Sequence, residues 1–255
     1  MLSSRITPCL LIKNQGLVKT INFKQPKYIG DPINAVKIFN EKEADEIIVL
    51  DIEATIQNRE PDYTMIKNLA AECRMPLCYG GGVTSVEQFK KIIKLGVEKV
   101  AISSSAVRNP LLISQAAKMV GSQSVVVILD VKKKRFSNFY EVYTHNGIQR
   151  TNFEVSKLAQ KFVSLGAGEI VINSIDNDGE MKGYDLKLVE QVRNSISIPI
   201  TILGGAGSHD DMGELINKYG VIGVSAGSLF VFKGKYRAVL INYPSQLEKD
   251  KIVSS

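Results

Sequence analysis

One pattern governs this chain from end to end: a short run rich in Ile, Val and Leu, then a polar or glycine-rich turn, then a segment with helical periodicity. The runs are Ile6–Ile12, Ile47–Leu50, Pro76–Tyr79, Val100–Ile102, Val125–Leu129, Ile170–Ile172, Ile198–Leu203 and Val221–Ala226. Strands that are apolar on both faces need helices on both sides, which implies a parallel sheet. Eight such units with no compositional break predict an α/β fold, a single closed (β/α)8 TIM barrel, over an open doubly wound sheet. Length alone would allow one domain or two for 255 residues. Asp31-Pro32 and Asn109-Pro110 each set an N-cap residue before a proline and mark helix starts. From Phe136 to Arg150, alternating residues flank Asn146-Gly147, which predicts a β-hairpin inserted after strand five.

The chain also resembles itself. Gly80-Gly81-Gly82-Val83-Thr84-Ser85 after strand three parallels Gly204-Gly205-Ala206-Gly207-Ser208-His209 after strand seven. Asp51 ends strand two as Asp176 ends strand six, and Gly96-Val97 before strand four matches Gly220-Val221 before strand eight. Ser103-Ser104-Ser105 and Ala226-Gly227-Ser228 follow those two strands. Two duplicated half-barrels, about residues 1–120 and 121–255, account for these pairs within one barrel domain, 1–255.

No apolar run approaches the roughly 20 residues that span a bilayer, and Met1-Leu2-Ser3-Ser4-Arg5 lacks the apolar core of a secretory signal. A cytoplasmic protein without a membrane partner is expected. Cys9, Cys73 and Cys78 have no metal-type spacing, so no metal and no disulfide is expected, and no cofactor motif stands out. The net charge of +6 is spread along the chain apart from Lys132-Lys133-Lys134-Arg135. No aromatics interleave with the basic residues, which argues against nucleic acid and for small anionic ligands.

Glycines after a strand let backbone N–H groups approach a phosphate while the next helix presents its positive end. In a barrel such loops lie on the C-terminal face, where active sites are built. The repeat supplies two of these loops on opposite sides of the mouth, which suits a substrate with a phosphate at each end. Asp130, at the end of strand five, is the best candidate for acid/base work, with Asp51, Asp176 and Asp178 on the same face. For Asp51 the alternative is that it caps a helix or holds a loop lysine. The internal alignment sets Cys9-Leu10-Leu11-Ile12-Lys13 against Ile128-Leu129-Asp130-Val131-Lys132, so the symmetry mate of Asp130 is Leu11. An acid on each half is therefore missing.

Across essentially its whole length the chain resembles the cyclase subunit of imidazole glycerol phosphate synthase. The resemblance is carried by Arg5-Ile6-Thr7-Pro8-Cys9-Leu10, Asp31-Pro32, Leu50-Asp51-Ile52, Gly80-Gly81-Gly82-Val83, Gly121-Ser122-Gln123, Glu141-Val142-Tyr143-Thr144-His145, Gly166-Ala167-Gly168-Glu169, Asp176-Asn177-Asp178-Gly179, Gly183-Tyr184-Asp185 and Gly204-Gly205-Ala206-Gly207. It implies a (β/α)8 barrel with two phosphate sites. Such a barrel takes ammonia from a separate glutaminase subunit and uses it to cleave and cyclise a bis-phosphorylated ribonucleotide of histidine biosynthesis. By that resemblance Asp130 is a catalytic acid/base, and Lys19, in a mobile first loop, meets substrate phosphate. Asp51, Gly82, Ser104, Asp176, Gly205, Ala226 and Ser228 line the substrate and its phosphates. Arg5, Glu46, Lys99 and Glu169 match a ring of four charges that admits ammonia at the far end of the barrel, and Glu98 falls at the glutaminase contact. All four ring residues lie at strand starts, the pole opposite the chemistry.

The departures cluster at the chemical end. The family's other catalytic aspartate falls at Leu11, Ser103 stands where the family has Asn, Asn173 where it has Thr, and Glu53 where it has a small polar residue. Losing one of two cooperating acid/base groups costs about 10²- to 10⁴-fold in rate. This pattern is similar to a paralogous branch found with surface-polysaccharide genes, in which barrel and glutaminase feed ammonia to a third enzyme that amidates an acetamido sugar. Two functions are therefore expected to compete: the ammonia conduit of that branch, which the departures favour, and a histidine-pathway cyclase. The related sugar isomerase also needs two opposed acids and leaves the ring unexplained.

Overall fold

A computed structural model describes residues 4–254; Met1–Ser3, read above for a leader, lie outside the described residues. Eight strands, β1 (Arg5–Lys13), β2 (Ile47–Asp51), β3 (Leu77–Gly80), β4 (Lys99–Ile102), β5 (Val125–Lys133), β6 (Glu169–Ser174), β7 (Ile200–Leu203) and β8 (Gly223–Ala226), pair in parallel in sequence order. The pairing of β8 with β1, Arg5 opposite Gly223, closes the barrel. Around it lie α1 (Pro32–Glu41), α2 (Tyr63–Glu72), α3 (Val86–Lys94), α4 (Leu111–Val120), α5 (Val155–Ser164), α6 (Leu186–Arg193), α7 (His209–Tyr219) and α8 (Gln246–Ser254).

The apolar runs serve two cores because alternate residues of a strand point to opposite faces. Leu10, Ile12, Ile47, Val49, Val125 and Val127 pack outward against Phe39, Phe89 and Phe162 of the helices. Cys9, Ile48, Cys78, Ala101, Val126, Ile128, Val171 and Leu203, with Leu11 and Leu50 packed against them, fill the barrel interior. Helix starts gather near the mouth, where polar side chains satisfy the free first-turn N–H groups. Asp31 accepts from the Asn34 amide at 2.8 Å, and Ser85 and Ser208 head two capping boxes directly after the two glycine loops. Asn109 does not cap α4 as its sequence context suggests. It ends the short helix Ser104–Arg108, and the chain enters α4 through Pro110 without a side-chain cap.

Two strands run past the barrel wall. β1 continues into an antiparallel ribbon, Gly16–Ile21 with Lys24–Gly30, and β5 pairs with Tyr140–Thr144, which pairs in turn with Gln149–Glu154. β5 outruns the expected end at Leu129 because Lys132 and Lys133 are exposed and pair only with the ribbon, so they lack the apolar signature of a barrel strand. By strand order β1 and β5 are diametrically opposed, and their ribbons meet over the mouth. A side chain at Gly147 would come within 3.3 Å of Phe23 and 3.2 Å of Ile175.

Candidate functional site

The ends of the strands surround a cavity that opens to solvent. Lys19, Asp51, Gly82, Ser104, Asp130, Gly205, Ala226 and Ser228, all singled out from sequence, line it. Asp176 does not join them. It is exposed, and its carboxylate accepts from the backbone N–H of Lys133 at 2.9 Å, tying the end of β6 to the extended β5. Asp178 faces the cavity instead.

Asp130 holds the chemically most distinctive position. Burial pushes its carboxyl up to about 7; Asp178 nearby adds to the rise, while hydrogen bonds from Asn173 and Ser103 oppose it. The Asn173 amide donates to Asp130 Oδ1 at 3.0 Å, between residues that are register partners on adjacent strands. A carboxyl in that range can take up or release a proton at neutral pH. On the opposed strand stands Leu11, register partner of Leu50, and both are packed on the apolar interior. The wall facing Asp130 therefore offers no acid at this level.

Lys19 is a correction to the sequence reading. It sits in a strand of the first ribbon rather than a loop, is 6% exposed, and donates from Nζ to the carbonyl of Cys9. Burial pushes its ammonium down, while the Cys9 thiol and Asp178 pull it back up. The side chain lies against Gly227, where a Cβ would collide with Nζ, so this cation reaches the backbone between Ala226 and Ser228. Thr20 and Phe23 of the same ribbon reach Asp178, with Thr20 Oγ1 donating at 2.7 Å. Burial raises Asp178, and Thr20, Lys19 and Phe23 counter the rise.

The glycine loops owe their shape to residue type. Gly82 has φ +72°, and a Cβ there would lie 2.6 Å from the carbonyl of Arg59. Gly205 has φ +118°, and a Cβ there would run into the carbonyl of Gly183. Only glycine takes these conformations at low cost. Ser104 accepts from the His145 amide at 3.0 Å, so the turn of the second ribbon rests on the loop after β4. Asp51 holds its own loop: Oδ1 accepts from the Glu53 amide at 3.0 Å and the Ala54 amide at 3.1 Å, and Arg59 pairs with Oδ2 at 3.1 Å. Glu53 pairs with Lys13 at 3.2 Å, binding this loop to the end of β1.

At the other pole the four strand-start charges form a closed cycle. Arg5 pairs with Glu46 and with Glu169 at 2.8 Å each, and Lys99 pairs with Glu46 at 2.7 Å and with Glu169 at 2.9 Å. Charges alternate in sign around the cycle, so each of the two buried glutamates is compensated by both partly exposed cations. Thr201, which sequence reasoning overlooked, adds a hydrogen bond to Glu169 at 2.6 Å. Burial disfavours the Lys99 ammonium, but Glu169 and Glu46 outweigh it and hold the ammonium above its usual range. Between ring and cavity lie the inner apolar residues, Cys78 and Cys9 among them. Glu98, beside the ring, is exposed and accepts from the Leu77 amide at 2.8 Å.

Thr20 and Phe23 carried no sequence signal, and Asn146 only that of a hairpin turn; all three line the cavity from the two ribbons, and only folding brings segments so far apart in the chain to one mouth. Among the described residues no group of three or more His, Cys, Asp or Glu could hold a metal ion, and no helix is long and apolar enough to cross a membrane.

A family model described as a histidine biosynthesis protein matches residues 5–237. The chain is 55% identical over 251 residues to a Vibrio vulnificus protein provisionally named imidazole glycerol phosphate synthase subunit hisF3, covering 98% of this chain and 96% of that one. It is 50% identical over 244 residues to a Pseudomonas aeruginosa protein provisionally named subunit hisF2 of the same synthase, covering 96% and 97%. It is 39% identical over 259 aligned positions to the imidazole glycerol phosphate synthase subunit HisF of Lactococcus lactis, covering 99% and 100%.

Proposed function

The chain belongs to the histidine biosynthesis protein family, among the HisF-like subunits of imidazole glycerol phosphate synthase, and from that premise we propose that it is an ammonia-conducting barrel that has lost cyclase activity. In this reading a glutaminase subunit docks beside Glu98 and delivers ammonia at the ring of Arg5, Glu46, Lys99 and Glu169. Ammonia crosses the interior to the mouth and serves a third enzyme that amidates a sugar in polysaccharide biosynthesis. A phosphorylated ligand rests between Gly82, Ser104, Gly205, Ala226, Ser228 and Lys19, with Asp51 holding the loop after β2.

The observation that carries this reading is Leu11. Opposite an Asp130 suited to proton transfer stands a leucine packed with Leu50 on the apolar interior, while the charge ring at the far pole is closed by four ion pairs. Relatives at 50–55% identity carry provisional synthase names, and those named without qualification stand at 38–44%. That division fits a branch that parted from the cyclases.

The second reading, a histidine-pathway cyclase, is favoured by Asp130 itself, whose carboxyl near 7 suits acid/base work at neutral pH. One assay separates the two. Purified protein is given an ammonium salt and the bis-phosphorylated ribonucleotide, and loss of substrate absorbance is followed. The conduit reading expects turnover about 10²- to 10⁴-fold below that of a cyclase with both acids; turnover equal to such a cyclase overturns it. Co-purification with a glutaminase encoded nearby tests the partner separately. We also read the barrel as two fused halves, about residues 1–120 and 121–255, a reading supported by the paired glycine loops and their capping boxes.

A further inference from the structure

Ten of the chain's 32 Lys and Arg residues, and none of its 26 Asp and Glu, fall in three short segments, 16–30, 132–140 and 232–239. Outside them acids outnumber bases, so the positive excess of the whole chain belongs to these segments.

The fold brings all three to the mouth pole. Residues 16–30 are the first ribbon, and 132–140 form the outer turn of the second, beyond the barrel wall. The third segment is a hairpin, Phe232–Lys233 paired with Ala238–Val239, which follows β8 by way of the short helix Ser228–Val231. Arg237 in its turn donates to the carbonyl of Gly179 at 2.8 Å, and Lys27 Nζ lies 5.3 Å from the ring centroid of Phe232. This hairpin therefore joins the loop after β6 and the first ribbon. Charge that looks dispersed in the sequence is gathered on one face.

The ligand cavity does not account for it, because Lys19 alone of the ten lines that cavity. Lys24 and Lys27 on the first ribbon, Lys132, Lys133, Lys134 and Arg135 on the second, and Lys233 and Lys235 on the third are exposed. Among the described residues none of these eight makes an ion pair. The acid in register with Lys132 is Glu141, and Arg150 already holds it at 2.8 Å. Each segment also exposes an aromatic side chain: Tyr28 at 67%, Phe136 at 105% and Tyr236 at 91%. Like charges gathered without partners repel one another, and an acidic surface relieves that repulsion while burying the rings. Aromatic anchors within complementary charge are what protein interfaces are built from.

We propose that these three basic hairpins form the docking face for the ammonia-accepting enzyme, which seats Phe136 and Tyr236 and closes the mouth with an acidic surface. The proposal rests on the conduit reading and assigns its third enzyme to a side of the barrel. Nucleic acid fits the face less well. A single strand needs successive aromatics along one basic groove, whereas here each ring stands on a separate hairpin around an opening. Ammonia leaving that opening reaches an acceptor without loss to solvent only if the acceptor covers it.

The test uses the full chain and the purified sugar-amidating enzyme encoded nearby, with binding measured at low and high salt. Wild type should bind, more weakly as salt rises. Lys134→Glu with Arg135→Glu should weaken binding roughly tenfold or more. Lys118→Glu with Lys161→Glu, exposed positions in the last turns of α4 and α5 at the other pole, changes the net charge equally and should leave binding unchanged. Phe136→Ser keeps every charge and should weaken binding about tenfold. Equal losses from the two double variants would mean that only net charge matters; no binding by wild type, or poly(U) RNA bound in preference to the enzyme, would mean that the face serves something else. Each of these results overturns the proposal. Glutamine-driven amidation by the barrel, glutaminase and acceptor together separates this failure from that of the conduit. Coupling that survives Lys134→Glu with Arg135→Glu overturns the docking face and leaves the conduit standing, whereas wild type that amidates with ammonium chloride but never with glutamine overturns the conduit itself.

Discussion

Thr20 Oγ1 donates to Asp178 Oδ2 at 2.7 Å across 158 residues of chain, and this contact ties the first ribbon to the loop after β6. Around it the Phe23 amide donates to the same oxygen at 3.3 Å, and the Asn22 amide donates to the Asp178 carbonyl at 2.9 Å. The ribbon that buries Lys19 is therefore held shut largely by one aspartate.

Thr20→Val removes the hydroxyl at nearly constant volume. Hydrogen exchange across residues 16–30 should accelerate by an amount equivalent to about 1.5–3 kcal/mol of lost local stability, while exchange in β4 and β5 stays unchanged. Uniform protection in wild type and variant would mean that the contact does not hold the ribbon.

Asp130 makes stability depend on pH in a defined direction. Its folded carboxyl is raised to about 7 from 3.8, so the protonated form is favoured in the native state. The stability this contributes is fully present below about pH 3.8 and is lost as pH rises through about 7. Asp130→Asn should flatten that part of the profile and stabilise the protein by about 1–4 kcal/mol at pH 8. Denaturant titrations of both proteins at pH 5 and pH 8 measure the difference.

Lys99→Met leaves Glu46 and Glu169 to share Arg5. Removing one partner of a buried ion cluster costs about 3–5 kcal/mol, because the remaining charges lose their compensation. Adding Glu46→Gln to the same chain should recover part of that loss, and a double-mutant cycle would read the coupling directly. Simple additivity of the two substitutions would indicate that the ring residues act independently.

Leu11→Asp sets a carboxyl on β1 opposite Asp130, at the rim of the apolar interior. It should destabilise the fold by about 1–3 kcal/mol, as burial of a polar group in place of an apolar one does. If Leu11 is the principal lesion, the variant should also gain cyclase turnover over wild type. No gain would mean that the exchange at Ser103 and Asn173 matters as much, and steady-state assays with ammonium salts decide the point.

Gly205→Ala places a side chain where the carbonyl of Gly183 already sits, at a φ of +118° that alanine rarely adopts. Stability should fall by more than about 1 kcal/mol, and any phosphate held by this loop should bind more weakly. Thermal melts with and without inorganic phosphate measure both effects.

The glycine loops and the mismatch of Asp130 with Leu11 were legible in the sequence through its internal repeat, whereas the strand-start charges were singled out only by the family resemblance. The barrel followed from eight buried apolar runs, and Leu11 was exposed as an anomaly by its own symmetry mate. Lys19 was recognised as a residue and misread as to setting, since nothing in Gly16–Ile21 announces a strand whose lysine is buried. Asp176 was grouped with the mouth by its position after β6, yet its carboxylate turns to Lys133, because β5 runs far enough out of the barrel to offer that amide.

By itself, then, the order of apolar and polar residues determined the parallel barrel, since a strand buried on both faces admits few alternatives, and it determined at which pole the candidate site residues gather, since glycines and aspartates follow the strands. Only the tertiary structure decided how the charges and amides are partnered. Four charges at or just before the starts of β1, β2, β4 and β6 became a closed cycle, and Asn173 gave its donor to Asp130 and left its acceptor without a partner. Hydrogen bonds and ion pairs act over a few ångströms in particular directions, and that geometry exists only once distant segments have been brought to the same end of the barrel.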